Sequence, residues 1–234
     1  MLINIKQQII NGLEGVVSRM VPLVTLRTCR VFSELSDAAL TEISRRAAIR
    51  QYARGSTLLA ERDEQTAVFC IVRGRVKNSV VDVDGREVIL SVFGGGDILG
   101  ETLSLDGVIS DGVVSTLEET EVVSIPGECF WSVAEREWSL SVALMRNLAH
   151  RLQCANRHLQ SLVLEGAPGR VYRTLREMGT PEGELRVVYG RLSQQSIASM
   201  VGTSRETVGR SLKALREQGL LSQDLRGWVV HPCG

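Results

Sequence analysis

"SQQSIASMVGTSRETVGRSLKALREQGLL", residues 193–221, carries two apolar periodicities separated by a single glycine. Ser193 precedes a run in which Ile197 and Val201 lie four apart, and Ser204, or Thr203 before it, precedes a second run in which Val208, Leu212 and Leu215 recur at helical spacing. A hydroxyl residue in front of such a run accepts a hydrogen bond from amides that a helix start leaves unpaired, so two capped helices are predicted. Gly202 stands between them, where the chain must turn and a β-carbon would obstruct it. Two short helices joined by "VGTS" make a helix-turn-helix, with Ile197, Val201, Val208 and Leu212 buried between them. Around this unit, "GRVYRTLREMG" (169–179) predicts a helix and "ELRVVYG" (184–190) a strand. "LLSQDLRGWVVHP" (220–232) predicts two short strands about Arg226-Gly227, the wing of a winged helix.

The second helix turns Arg205, Glu206 and Arg210 away from its apolar side. In a recognition helix the N-terminal residues reach base edges: an arginine offers two donors to guanine O6 and N7, and a glutamate accepts from a cytosine amino group. Ser204 and Thr207 suit phosphate contacts that fix register, and Ser193 and Gln194 at the start of the first helix complete the predicted DNA-binding set. Charge is distributed in keeping with this. The whole chain is neutral, with 27 Lys and Arg against 27 Asp and Glu, yet residues 166–234 hold ten basic against six acidic side chains, leaving the remainder net acidic.

At 234 residues, 44% apolar and 23% charged, the chain has the length of two domains and the composition of a globular protein. No stretch approaches the roughly 18 uninterrupted apolar residues of a membrane helix. "MLINIKQQIINGLEGVVSRMVPLV" (1–24) lacks a compact apolar run with a small-residue cleavage site, so a cytoplasmic protein is expected. Five dispersed cysteines, Cys29, Cys70, Cys129, Cys154 and Cys233, show no CxxC spacing and read as reduced structural thiols, Cys70 as a small core residue. No nucleophile paired with a base, phosphate loop or metal spacing is present, so an enzyme is not expected.

Toward the N-terminus, "FSELSDAALTEISRRAAI" (32–49) predicts an amphipathic helix capped by Ser36. "STLLA", "TAVFCIVRG", "RVKNSVVDV", "REVILSVF" and "VVSTLEETEVVSIP" follow as strand-like runs, punctuated by Gly55, Gly74, "DVDGRE" and "GGGD". Turns at that density mean antiparallel β-structure, a sandwich, roll or barrel. After Pro126 the strands stop, and "REWSLSVALMRNLAHRLQCANRHLQSLVLE" (136–165) reads as one long helix without Pro or Gly. Leu144, Leu148, Leu152, Ala155, Leu159 and Leu162 line one face of it and are predicted to pair two copies of the chain. His150, Cys154 and His158 recur every four residues off that stripe and read as polar surface, not as metal or haem ligands. "EGAPGR" (165–170) breaks the helix and marks a domain boundary near residue 165.

With these pieces in place, the chain resembles the CRP/FNR superfamily of bacterial transcription regulators over almost all of residues 30–234. "IASMVGTSRETVGRSLKALREQGLL" is similar to that family's helix-turn-helix signature. "RGSTLLAERD", "VFCIVRGRVK", "DGREVILSVFGGGDILGE" and "EVVSIP" resemble its sensory β-roll. The resemblance implies an α+β fold: an N-terminal extension (1–29), a cyclic-nucleotide-binding-like β-roll (30–134), a dimerisation helix (135–165) and a winged helix-turn-helix (166–234). It also implies a homodimer that reads palindromic DNA with TGTGA-like half-sites, Arg205 and Arg210 on guanines and Glu206 on cytosine, in concert with RNA polymerase and under an unknown small-molecule effector.

Within the resemblance the effector cassette departs from the family. Gly100 and Glu101 match its opening, but Asp111 and Gly112 fall where an arginine and a Ser or Thr would face a cyclic phosphate. Ala155 and Asn156 fall where hydroxyls would meet the base. These departures predict an effector other than cyclic AMP, and the cysteine group of an N-terminal iron–sulfur cluster is absent too. The alternative is a β-roll module that acts on a protein partner without touching DNA, against which the helix-turn-helix discriminates.

Overall fold

A computed structural model describes residues 20–60, 67–85, 87–102, 112–190 and 192–232. The chain divides into two compact units, one running through Val81 with Ile89–His150, the other comprising Asp82–Val88 and the chain from Arg151 onward.

The first unit opens with α1 (Leu23–Leu26), a 3-10 turn (Arg30–Phe32) and α2 (Asp37–Arg46). Ser36 caps α2, accepting from the Ala39 amide at 3.2 Å. Eight strands then form two four-stranded sheets: β1 (Ala48–Tyr52), β8 (Thr120–Pro126), β3 (Ala67–Arg73) and β6 (Ile98–Leu99) in one, β2 (Thr57–Leu59), β7 (Val113–Thr116), β4 (Val76–Val81) and β5 (Glu87–Phe93) in the other. The apolar run "AVFCIV" shows no alternation because β3 is covered on both faces. Phe69 and Ile71 join Leu59, Val76, Val114 and Val122 in a core within the roll. Val68 and Cys70 turn the other way, into a second core with Phe32, Leu40, Ile43, Phe130 and Leu140.

That second core requires a helix absent from the sequence reading, α3 (Gly127–Arg136), which buries Cys129, Phe130 and Val133 and sets Phe130 against Phe32 as a tilted ring pair with centroids 6.1 Å apart. The long helix α4 therefore spans Trp138–Leu164, starting after Glu137 breaks from α3. Its first turns are structural: Leu140 and Leu144 are buried in the same core. Leu144 accordingly leaves the exposed stripe to which spacing assigned it.

The second unit contains α5 (Ala167–Met178), β9 (Thr180–Glu182), β10 (Leu185–Tyr189), α6 (Gln194–Val201), α7 (Arg205–Glu217), β11 (Leu221–Gln223) and β12 (Gly227–Val230). Its strands pair antiparallel in the order β11-β12-β10-β9. The end of α4 belongs here. The Glu165 carboxylate pairs with Arg173, and Arg170 donates to the Glu165 carbonyl at 2.8 Å and to the Val201 carbonyl at 3.0 Å. These bonds tie the helix end to the helix-turn-helix, so the units part near residue 150, ahead of the Gly-Pro break at 165.

Candidate nucleic-acid interface and effector pocket

Ser193 caps α6 through the Ser196 amide at 3.0 Å, and Ser204 caps α7 through the Thr207 amide at 3.2 Å. Between the two helices Gly202 adopts φ +64°, a left-handed backbone disfavoured for residues with a β-carbon. A β-carbon there would also stand 3.4 Å from Leu162. Ile197 and Val201 from α6 and Val208, Leu212 and Leu215 from α7 are all buried, as their spacing predicts.

The opposite side of α7 is open. Arg205, Glu206 and Arg210 are exposed, and Arg210 donates to the Thr207 hydroxyl at 3.2 Å, which holds its guanidinium along the first turns. The Glu206 carboxyl is held below the usual carboxylate range, first by its own backbone N–H at the helix start and then by the Ser204 hydroxyl, so it stays an acceptor. Thr207 is half-buried and its hydroxyl is shared with Ser204 at 3.0 Å, so together with the bond from Arg210 it supports that guanidinium. Gln194 is exposed, with its amide 3.5 Å from where a β-carbon on Gly209 would stand, so Gly209 leaves the space in which Gln194 lies along α7. Farther along, Arg216 stacks 4.8 Å above the Trp228 ring and donates to Gln223 at 2.9 Å, which commits it to the wing. At the wing tip Arg226 is held by Asp224 and by Glu182 of β9, both at 2.7 Å.

Along α4 seven exposed apolar residues keep a seven-residue repeat, with Ala149 and the terminal Val163 and Leu164 outside it. Trp138, Met145, Leu152 and Leu159 form one row, and Leu148, Ala155 and Leu162 a second row three residues on; all are exposed. An a/d pattern of this kind is what the seam of a two-stranded coiled coil requires. Met145, 53% exposed, occupies the place that the wheel gave to Leu144, 5% exposed. Off the seam, His150 and Cys154 are exposed and His158 half-buried, Arg157 lies 3.1 Å from the Cys154 sulfur, and among the described residues no cluster is placed to hold a metal.

In the β-roll, Gly100 follows β6 with a left-handed backbone against the Ala67 carbonyl, and Glu101 is 2% exposed. Gly112 is buried beside β4. Asp111 lies outside the described residues. Ala155 and Asn156 are exposed on α4.

A β-roll, a long helix with an exposed apolar stripe and a winged helix-turn-helix whose second helix exposes its basic side are the parts of a DNA-binding transcription regulator. Residues 49–137 match the cyclic nucleotide-binding domain, and residues 169–232 match the Crp-like helix-turn-helix domain. The "CRP-like cAMP-activated global transcriptional regulator" of Mycobacterium tuberculosis is 31% identical over 194 residues, covering 81% of this chain and 86% of that one. The "cAMP-activated global transcriptional regulator CRP" of Pasteurella multocida is 30% identical over 187 residues, covering 78% and 90%. Among solved structures, the c-di-GMP-responsive global regulator CLP of Xanthomonas campestris superposes with a TM-score of 0.68 at 24% identity, over 85% of this chain and all of that one. The chain belongs to the CRP/FNR family of transcription regulators. Among the described residues no helix is long and apolar enough to cross a membrane.

Proposed function

We propose that the chain acts in the cytoplasm as a homodimer, paired through the α4 seam, that reads a DNA palindrome with TGTGA-like half-sites and works with RNA polymerase under an effector other than cyclic AMP. The observation that carries this reading is the capped, outward-facing start of α7, where two arginines flank a carboxylate held ionised. Residues 30–134 serve as the sensor, 135–165 as the pairing helix, whose first turns also brace the roll, and 166–234 as the reader. Paired helices would present two copies of α7 to successive major grooves about one helical turn, roughly 34 Å, apart.

Truncating Arg205 or Arg210 to alanine is expected to cost about 1–3 kcal/mol at the cognate site and to relax preference at one base pair, whereas Ser204→Ala should weaken all sequences alike. Quantitative mobility shifts on the cognate palindrome, on single-base variants and on random DNA separate the two. Equal losses on specific and random DNA for the arginine variants would reduce them to phosphate contacts. A chain that shifts no palindromic DNA at low salt would leave the β-roll acting on a protein partner instead.

A further inference from the structure

Between Leu221 and Val230 the wing carries a single cation, Arg226, a residue type suited to a DNA phosphate. Yet each of its three guanidinium nitrogens donates within the protein. Nε and Nη2 donate to one oxygen of Asp224 at 2.9 and 2.7 Å, and Nη1 donates to Glu182 at 2.7 Å. The other Asp224 oxygen accepts from the backbone N–H groups of Arg226 and Gly227, at 2.8 and 3.2 Å, so the carboxylate that holds the side chain also shapes the turn beneath it. The Asp224 carboxyl is kept below the usual carboxylate range, first by the Arg226 side chain and then by the Arg226 N–H, and remains an anion.

The second carboxylate comes from 44 residues away, on β9, and its other oxygen accepts from the Tyr189 hydroxyl of β10. The backbone leaves Arg226 little slack. Gly190 donates to the Arg226 carbonyl at 2.9 Å, and a β-carbon on Gly227 would stand 2.0 Å from the Val188 carbonyl oxygen, so only glycine lets the wing close on β10 this tightly. Exposed ion pairs contribute little to folding, and the turn at 224 needs an acceptor but not a charge. Two carboxylates against one guanidinium leave the tip net negative, so the N–H groups that remain on Arg226 do not present a cation to a phosphate.

We propose that Glu182 and Asp224 are positioning residues for DNA binding: they hold Arg226 against the sheet and withhold it from the DNA backbone, which lowers the sequence-independent affinity of the reader and leaves α7 to set the binding. The proposal rests on the reading of the second unit as a DNA reader. It adds two carboxylates that tune that reader and a cation that they keep in reserve.

The double variant Glu182→Gln/Asp224→Asn keeps an acceptor for the Tyr189 hydroxyl and for the turn while removing both charges, and so frees Arg226. Affinity of the full chain for a pool of random duplexes, measured from about 50 to about 200 mM salt, should fall more steeply with salt in this variant than in the parent, the log–log slope growing by about 0.9 per protomer as one phosphate contact is gained. Adding Arg226→Ala to the double variant should abolish that gain. Glu182→Gln alone, which leaves the turn at Asp224 untouched, should give a smaller gain of the same sign. An unchanged slope in the double variant would overturn the assignment, and so would a gain that survives Arg226→Ala, since loss of two negative charges would then account for it without the arginine. Failure of the parent and the double variant alike to bind any duplex at low salt would instead overturn the regulator reading, and the role of the two carboxylates with it.

Discussion

Cyclic AMP is expected to bind this chain about a thousandfold more weakly than it would a β-roll offering an arginine and a hydroxyl at positions 111 and 112. Two unit charges about 4 Å apart at an effective dielectric near 20 interact by about 4 kcal/mol. An aspartate at position 111, where the arginine would stand, would reverse the sign of that interaction with the cyclic phosphate. Solvent softens the swing, yet half of it is still about 4 kcal/mol, three decades in affinity at about 1.4 kcal/mol per decade. Gly112 supplies no hydroxyl, and what borders it is the Asn78 oxygen, itself an acceptor. The mycobacterial and Pasteurella relatives are named as cAMP-activated, so the prediction separates this chain from proteins about 30% identical to it. Titration of cyclic AMP into effector-free protein, with DNA affinity measured before and after, decides the matter. Micromolar binding accompanied by tighter DNA binding would show that the pocket neutralises the phosphate by another route.

The second large effect is expected on the α4 seam. Leu152→Lys should turn the dimer into a monomer at micromolar concentration and reduce affinity for the full palindrome at least about a thousandfold. Each copy would lose a leucine whose burial stabilises the pair by about 2 kcal/mol, and the two new ammonium groups would face each other at one layer of the coil. Met145→Lys should act similarly. Leu144→Lys should instead unfold or destabilise the chain, because Leu144 lies in the core of its own β-roll. Sedimentation tests the first two and thermal melting the third. A stable, dimeric Leu152→Lys protein with unaltered DNA affinity would exclude the seam as the pairing surface.

Local chemistry made the reading helix legible: Ser193 and Ser204 cap, Gly202 turns, and the spacing of Val208, Leu212 and Leu215 fixes which side is buried. The seam was legible only in outline. Leu144 and Met145 are adjacent and both apolar, and a helical wheel cannot say which one a neighbouring domain covers. The repeat of 138, 145, 152 and 159 with 148, 155 and 162 was the available signal, since a 3.5-residue period favours Met145 over Leu144. Helix α3 escaped because "GECFWSVAER" follows β8 directly and its burial depends on Phe32 across the core, a contact no local pattern encodes. Strand β9 carries Pro181 in a stretch resembling a loop, and is held as a strand by pairing with β10. The contact between Asn78 and Gly112, more than 30 residues apart in the chain, is likewise one that no local pattern encodes.

Selection of the purified chain on a pool of random duplexes, with sequencing of what it retains, tests the account most directly. The result expected is enrichment of a two-fold palindrome with TGTGA-like half-sites centred about one helical turn apart, lost at single positions in Arg205→Ala and Arg210→Ala and lost altogether in Leu152→Lys. Retention without sequence preference, or enrichment of an isolated half-site by the parent protein, would contradict it.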